Sequence, residues 1–332
     1  MLPTHTDIGG VRIEPNLVLS PMEGVTDLSF RRLIRQIGGV GLTVTEFVPG
    51  AALSRGDKRF MDMVKLDVDE RPVAIQLYGR DPGQLAEGAR MVQDLGADIC
   101  DINMGCPSKK VCNNSGGSSL MREPEHAREI VRQVVAAVQI PVTVKMRSGF
   151  DVDSRNAPEL ARVCEGEGAA AITVHWRTRA DRYGGLRAVD KIAETVQAVA
   201  VPVFANGDVV DVASAESMLR DTGAAGLYVG RGAIADPWVF ARIAAWQRGE
   251  PEPVVDQAAK HRVILAYVAS LRALPSVRPQ KEDRFVLGRL KQLAKTFCRR
   301  QLEGGRGLER QILHSQTLPE ALTAIEAWFQ PS

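Results

Sequence analysis

An α/β barrel followed by a small all-α domain is the architecture this sequence predicts, and three observations predict it. Residues 1–240 repeat one theme eight times: a short β-branched run, a polar or Gly-rich loop, then a stretch with helical periodicity. Strands alternating with helices imply parallel βαβ units, and eight such units suit a closed TIM (β/α)8 barrel. From residue 241 the alternation stops and only helical patterns remain. A doubly wound open sheet is the alternative for the first part.

The eight runs are Leu17–Ser20, Leu42–Glu46, Val73–Tyr78, Asp98–Asn103, Val142–Arg147, Ala171–His175, Val201–Ala205 and Gly226–Val229. Gly96-Ala97-Asp98, Gly168-Ala169-Ala170 and Gly223-Ala224-Ala225 stand before three of them, where a helix C-cap must turn back into the sheet. Ile140-Pro141 and Val201-Pro202 put proline at a strand entrance, where a missing N–H is tolerated. In the second part, His261–Leu274, Glu282–Gln301 and Leu318–Phe329 read as helices, separated by Gly/Pro-rich pieces at Gly249–Pro253, Pro275–Pro279 and Gly304–Gly307. The expected division is thus a barrel over 1–240 and a helical domain over 241–332.

Composition narrows the class. Of 332 residues, 45% are apolar and 25% charged, which is ordinary for a globular chain and excludes wholesale disorder. Net charge is only +2, yet it is unevenly spread. Residues 241–332 hold 15 Lys/Arg against 9 Asp/Glu, a net of +6, which leaves −4 for 1–240. Within Glu282–Gln301, Arg284, Lys291, Lys295 and Arg299 are spaced 7, 4 and 4 and fall on one helix face. Such a stripe is either a solvated face or a surface for a phosphate-rich partner. No apolar run reaches the ~18 residues that span a bilayer, and MLPTHTDIGG carries no secretory signal pattern. Five cysteines, odd in number and sparse, suit a reducing compartment. A cytoplasmic monomer without membrane contact is expected.

A barrel builds its active site at the C-terminal ends of its strands. Those positions read Pro21-Met22-Glu23-Gly24, Thr45-Glu46, Gln76-Leu77-Tyr78-Gly79, Asn103-Met104-Gly105-Cys106-Pro107, Lys145-Met146-Arg147, His175-Trp176-Arg177, Asn206-Gly207-Asp208 and Gly230-Arg231-Gly232. Nearly every one is polar or contains glycine. The last two follow the seventh and eighth runs, where many barrels hold a phosphate with backbone N–H groups, and Arg231 adds charge. Gln76, Asn103 and Lys145 converge from the third, fourth and fifth runs and suit the edge of a planar heterocycle such as isoalloxazine. Lys145 sits between Val144 and Met146 in a strand, so a buried ammonium there needs a partner. Gly166-Glu167-Gly168 precedes a strand and fails as a dinucleotide fingerprint.

Cys106 lies on the active rim in a tight Gly–Pro loop. A thiol that titrates near ~8.5 is mostly protonated at neutral pH and can donate a proton. Cys164 and Cys298 read as small buried hydrophobes. Cys100, Cys106 and Cys112, spaced six and six with no CxxC and no nearby His pair, argue against zinc, and no metal is expected. His175 ends the sixth run and suits a flavin oxygen or a phosphate. His5, His126, His261 and His314 are expected to face solvent.

These residues resemble the flavin-dependent tRNA dihydrouridine synthases. The resemblance rests on Ser20-Pro-Met-Glu-Gly-Val-Thr-Asp27, Gln76-Leu-Tyr-Gly79, Asp101-Ile-Asn-Met-Gly-Cys-Pro-Ser-Lys-Lys-Val111 with Gly116-Gly117, Val144-Lys-Met-Arg147, Val174-His175 with Arg177-Thr178-Arg179, Ala205-Asn-Gly-Asp208 and Gly230-Arg-Gly-Ala233. It runs in family order over residues 16–240. It implies an FMN-bearing barrel, a helical tRNA-binding domain, and NADPH (or NADH) as reductant. The implied FMN contacts are Pro21, Met22, Glu23, Gln76, Lys145, His175, Asn206, Gly207, Asp208, Gly230 and Arg231, and the implied acid is Cys106. Asn103, Arg177, Arg179, Arg284, Lys291, Lys295 and Arg299 are candidates for meeting the substrate, with Arg182 a further cation at the mouth. Trp176 departs from the small residue frequent in the family, so a differently shaped loop is expected after the sixth run. Two rival functions remain: a flavin barrel acting on a free pyrimidine or enone, and a tRNA-binding chaperone without catalysis.

Overall fold

Eight parallel strands close on themselves: β1 Leu17–Leu19, β2 Leu42–Val44, β3 Val73–Tyr78, β4 Ile99–Met104, β5 Val142–Arg147, β6 Ala171–His175, β7 Val203–Asn206 and β8 Gly226–Val229. Each pairs with its sequence neighbour, and β8 pairs with β1, so the sheet has no free edge in the barrel. A short strand, Val48–Pro49, extends the β3 edge at the rim. The computed structural model of the chain describes residues 3–112, 116–181, 184–185, 187–274 and 281–330. The expected Pro275–Pro279 linker and Arg182 lie outside them.

Period-two alternation divides the barrel interior into levels. Val18, Leu42, Val44, Ala74, Ile99, Ala171, Phe204 and Tyr228 form an apolar lower cluster, which Ile8 and Ile13 close from below. These two come from an antiparallel hairpin, Thr6–Ile8 with Val11–Ile13, turned by Gly9-Gly10 at positive φ. Two residues further along each central strand, the inward side chains become polar. Gln76, Asp101, Thr143 and Thr173 are all buried, and above them come Asn103, Lys145, His175 and Asn206. The outward-facing residues pack beneath helices α1 Leu28–Ile37, α2 Pro82–Asp94, α3 Pro124–Ala137, α4 Ala157–Gly166, α5 Asp190–Ala198 and α6 Val212–Thr222. Each fully buried Leu, Ile or Val contributes roughly 1.5–3 kcal/mol, so this layer dominates the barrel's stability.

Local signals place the helices. Asp27, Asp81 and Asp211 accept from backbone N–H groups of the first turns of α1, α2 and α6. Gly223 ends α6 in the left-handed conformation, the C-cap role its place before β8 predicts. The expected boundary at residue 240 falls inside α7 Val239–Gln247. After it come α8 Gln257–Arg272, α9 Glu282–Gln301, α10 Arg306–His314 and α11 Leu318–Phe329. These helices dock on the barrel beside its first and last loops. Tyr267 on α8 meets Phe30 on α1 edge-on, and Phe297 on α9 lies 6.2 Å from Trp238. No helix among the described residues is long and apolar enough to cross a membrane.

Candidate active site

On the β3–β5 side of the mouth, side-chain amides link the strands. Gln76 and Asp101 are cross-strand neighbours, as are Asp101 and Thr143. Gln76 Nε2 donates to Asp101 Oδ2 at 2.5 Å, and Thr143 Oγ1 donates to Asp101 Oδ1 at 2.6 Å. Asn103 Nδ2 donates to Gln76 Oε1 at 2.7 Å. Asn103 Oδ1 in turn accepts from the backbone N–H of Gly105 (3.0 Å) and Cys106 (2.8 Å). The Cys106 carbonyl accepts from the Ser118 backbone N–H and hydroxyl, which closes the loop from its other end. Arg147 Nε donates to the Gly105 carbonyl at 2.7 Å and Nη1 to Thr178, tying this loop to the one after β6.

Burial sets the protonation states. The half-buried Cys106 thiol is pushed up to about 11, so it carries its proton throughout the neutral range. Burial lifts Asp101 to about 6, against hydrogen bonds from Thr143 and Gln76 and the charge of Lys145. Burial and the neighbouring Arg147 pull Lys145 down to about 7, and its Nζ donates to Asn206 Oδ1 at 2.8 Å. Asn206 Nδ2 is held in turn by the Tyr228 carbonyl. Desolvation, then the cations Lys145, Arg147, Arg177 and Arg231, drive His175 well below its ordinary value. The imidazole is therefore neutral. Its Nδ1 accepts from the Arg177 N–H at 3.1 Å, which leaves the proton on Nε2.

The β6–β8 side is built from charges. Asp208, at φ 54°, accepts from Nη1 and Nη2 of Arg177, at 2.9 and 2.6 Å, and from Arg231 Nη2 at 2.9 Å. Burial works against the Asp208 carboxylate, but the two guanidiniums outweigh it and hold its pKa low. Arg177 is only 6% exposed and its guanidinium lies 3.9 Å over the Trp176 ring. Trp176 is buried, and its indole N–H has no hydrogen-bond partner among the described residues. A Cβ at residue 207 would stand 2.4 Å from that ring, so the close approach, together with φ 124°, requires Gly207. Trp176 is thus wedged against the loop after β7.

The remaining candidates lie on the first loop and on the helices. Pro21 and Met22 are half-buried and Glu23 is exposed, and a Cβ at Gly230 would lie 3.5 Å from Met22 Sδ. On α9, Arg284 and Lys295 are exposed. Lys291 donates to the Ser315 carbonyl at 2.7 Å, and Arg299 is paired with Glu309. Half of the stripe therefore also faces α10 and the turn after it. Arg179 is half-buried, with its guanidinium 5.0 Å over Phe150. Arg289, outside the stripe, reaches the barrel: it bonds the Gly24 carbonyl and lies 3.1 Å from Asp27 and 3.7 Å from Glu46. Asp101, Arg147 and Arg289 were not singled out from the sequence. Period two could have found the first two, since Asp101 shares a face with Asn103, and Arg147 with Lys145. Nothing local marks Arg289.

His5 and His314 are exposed; His126 and His261 are half-buried, His126 bonding the Arg80 carbonyl at 2.7 Å and His261 stacking on Phe329 at 4.6 Å. Cys164 and Cys298 are buried as expected. Among the described residues no cluster of three His, Cys, Asp or Glu could hold a metal ion.

The sequence that builds this mouth matches one family model over most of the chain. The family model described as dihydrouridine synthase (Dus) matches residues 18–326. The chain belongs to the dihydrouridine synthase family. It is 42% identical over 266 residues to "tRNA-dihydrouridine synthase B" of Pseudomonas syringae pv. tomato, covering 80% of this chain and 78% of that one. A "Probable tRNA-dihydrouridine synthase" of Rhodobacter capsulatus is 43% identical over 247 residues, 74% of this chain and 76% of the relative. "tRNA-dihydrouridine synthase B" of Pseudomonas aeruginosa is 41% identical over 265 residues, 80% of each. As a dihydrouridine synthase family member, the chain spans both barrel and helices within the matched region.

Proposed function

We propose that this protein reduces the C5–C6 bond of a uridine in tRNA, with FMN in the barrel mouth and NADPH or NADH as the reductant. The observation that carries this reading is the Cys106 loop, whose backbone N–H donates to Asn103 Oδ1, placing a thiol with a raised pKa on the rim where Lys145 and Asn206 also meet. The residues fit a flavin mononucleotide. Amides and an amine on β3–β5 suit the polar edge of its ring, and glycine-containing loops with Arg231 on β7–β8 suit its phosphate. The Trp176 N–H beside Gly207, without a partner among the described residues, is a buried donor of the kind a ligand satisfies. Pro21, Met22, Glu23, Gln76, Lys145, His175, Asn206, Gly207, Asp208, Gly230 and Arg231 would hold the group. When bound, the flavin supplies a hydride for uracil C6.

Cys106 supplies the proton. Its Sγ–H transfers a proton to C5, and the resulting thiolate regains one from solvent. Lys145 and Asn103 polarise and orient the groups around it. A uracil stacked inside folded tRNA must be extruded to reach the mouth. Binding therefore rests on shape and phosphate contacts, which the helical part, residues 241–332, supplies beside the barrel, residues 1–240. Its +6 charge against −4 on the barrel favours the nucleic-acid reading over reduction of a free pyrimidine.

Mapping dihydrouridine in tRNA from cells that lack this gene tests the reading. One dihydrouridine should be missing, and the purified protein, yellow and releasing FMN on denaturation, should restore it in that tRNA. An unchanged dihydrouridine map, or turnover of free uridine as fast as of tRNA, would contradict it.

A further inference from the structure

The geometry points to Asp101 as the positioning residue for the proton donor: its carboxylate fixes the direction of a hydrogen-bond chain that runs through Gln76 and Asn103 to the backbone of the Cys106 loop. The inference rests on the reading of Cys106 as the acid. It extends that reading two side chains inward, to a group that touches neither uracil nor thiol.

The chain has one consistent direction. An ionised carboxylate only accepts, so Gln76 must turn its NH2 toward Asp101 Oδ2, 2.5 Å away. The Gln76 carbonyl oxygen then faces Asn103 and accepts from its NH2 at 2.7 Å. The Asn103 carbonyl oxygen is left facing the loop, where the N–H groups of Gly105 and Cys106 lie at 3.0 and 2.8 Å. Those backbone groups only donate. An acceptor-only group at one end and donor-only groups at the other admit a single orientation of both amides. Thr143 fixes the starting carboxylate through its other oxygen. Asp101, Gln76 and Asn103 are nearly or fully buried, at 0%, 0% and 6% exposure, so water does not substitute for a missing link.

Without an acceptor at residue 101, Gln76 is free to rotate by half a turn. Its NH2 would then confront the Asn103 NH2. Asn103 would reverse in response and set a donor against the two loop N–H groups. The Cys106 loop would lose the acceptor that holds it, and the thiol its fixed place. An asparagine at 101 avoids this, because its carbonyl can face Gln76 while its NH2 faces the Thr143 hydroxyl, which can also accept.

The test compares Asp101→Leu with Asp101→Asn, and uses Asp101→Ala as a smaller cut of the same link. The first readout is amide hydrogen exchange of Gly105 and Cys106 in the flavin-free protein, which does not depend on any reaction. Protection of these two amides should fall at least tenfold in the Leu and Ala variants and stay within about threefold in Asn. The second readout is single turnover. Oxidation of the NADPH-reduced enzyme by tRNA should slow at least tenfold in Leu and Ala and recover in Asn. Unchanged protection in Leu and Ala would overturn the assignment. So would failure of both variants to fold, which would make Asp101 a stability residue. If protection falls but tRNA still oxidises the enzyme at the normal rate, the chain exists and the role given to Cys106 is what fails.

Discussion

Across the barrel mouth, the β3–β5 side and the β6–β8 side hold their polar groups by different means. On β3–β5, Gln76, Asn103 and the Cys106 loop are linked by amide hydrogen bonds whose directions are fixed by one buried carboxylate. On β6–β8, Arg177 and Arg231 share Asp208 in an ion-pair cluster, with Arg231 and Asp208 substantially exposed. Amide chains are specific about direction and carry little net charge, which suits a site that must place one proton on one atom. An exposed ion-pair cluster exchanges partners at low cost, because an arriving anion replaces one carboxylate contact with another charged contact. The two halves of one rim thus differ in what they suit, a directed proton donor on one side and an anion on the other, while Arg147 and the Lys145–Asn206 hydrogen bond join them.

Removing the thiol should have the largest effect. Cys106→Ala should lower dihydrouridine formation by about 10²–10⁴-fold, the usual range for a general acid. The bound flavin and its reduction by NADPH, measured by stopped-flow absorbance, should be untouched. Cys112→Ala should not reproduce the loss; if it does and Cys106→Ala does not, the β3–β5 side presents a different thiol.

A smaller effect should follow on the other side. Hydrogen bonds to charged groups contribute roughly 1.5–3 kcal/mol, so Arg231→Ala should weaken FMN binding by about 10–150-fold in a fluorescence titration. Tightly bound FMN with normal affinity in that variant would move the anion site away from β7–β8. The smallest effect is expected on the helices. Arg284 and Lys295 are the exposed members of the α9 stripe, so Arg284→Ala/Lys295→Ala should weaken tRNA binding. The salt slope should flatten by roughly 0.7–0.9 per lost phosphate contact. FMN affinity should not change. Lys291, already committed to the Ser315 carbonyl, should flatten the slope less than Lys295. Equal slopes for wild type and the double variant would leave the stripe a solvated face.

The sequence made the barrel legible because each strand is a short apolar run and each rim residue sits at a strand end, where period and position are local properties. The Gly9-Gly10 hairpin escaped because its two short strands stand before the strand–loop–helix repeat that located the others. Partnerships across long separations escaped as well. Asp101 reads as one more strand residue until Gln76, 25 positions earlier, and Thr143, 42 later, are brought beside it. Arg289 meets Gly24 across 265 residues, and no pattern near either announces it. Helical spacing located the α9 stripe but not what faces it, so the partners of Lys291 and Arg299 on and just beyond α10 were invisible. Trp176 was legible as a departure. Its burial against Gly207 follows only from the closeness of β6 and β7.

In the proposed reaction the two sides of the mouth cooperate to reduce uridine in tRNA. The most direct measurement incubates the FMN-loaded protein with NADPH and unmodified tRNA transcript, then weighs the nuclease fragments. One uridine should gain the mass of two hydrogen atoms, with one NADPH consumed for each dihydrouridine formed. NADPH oxidised through the flavin while every fragment keeps its original mass would contradict the account.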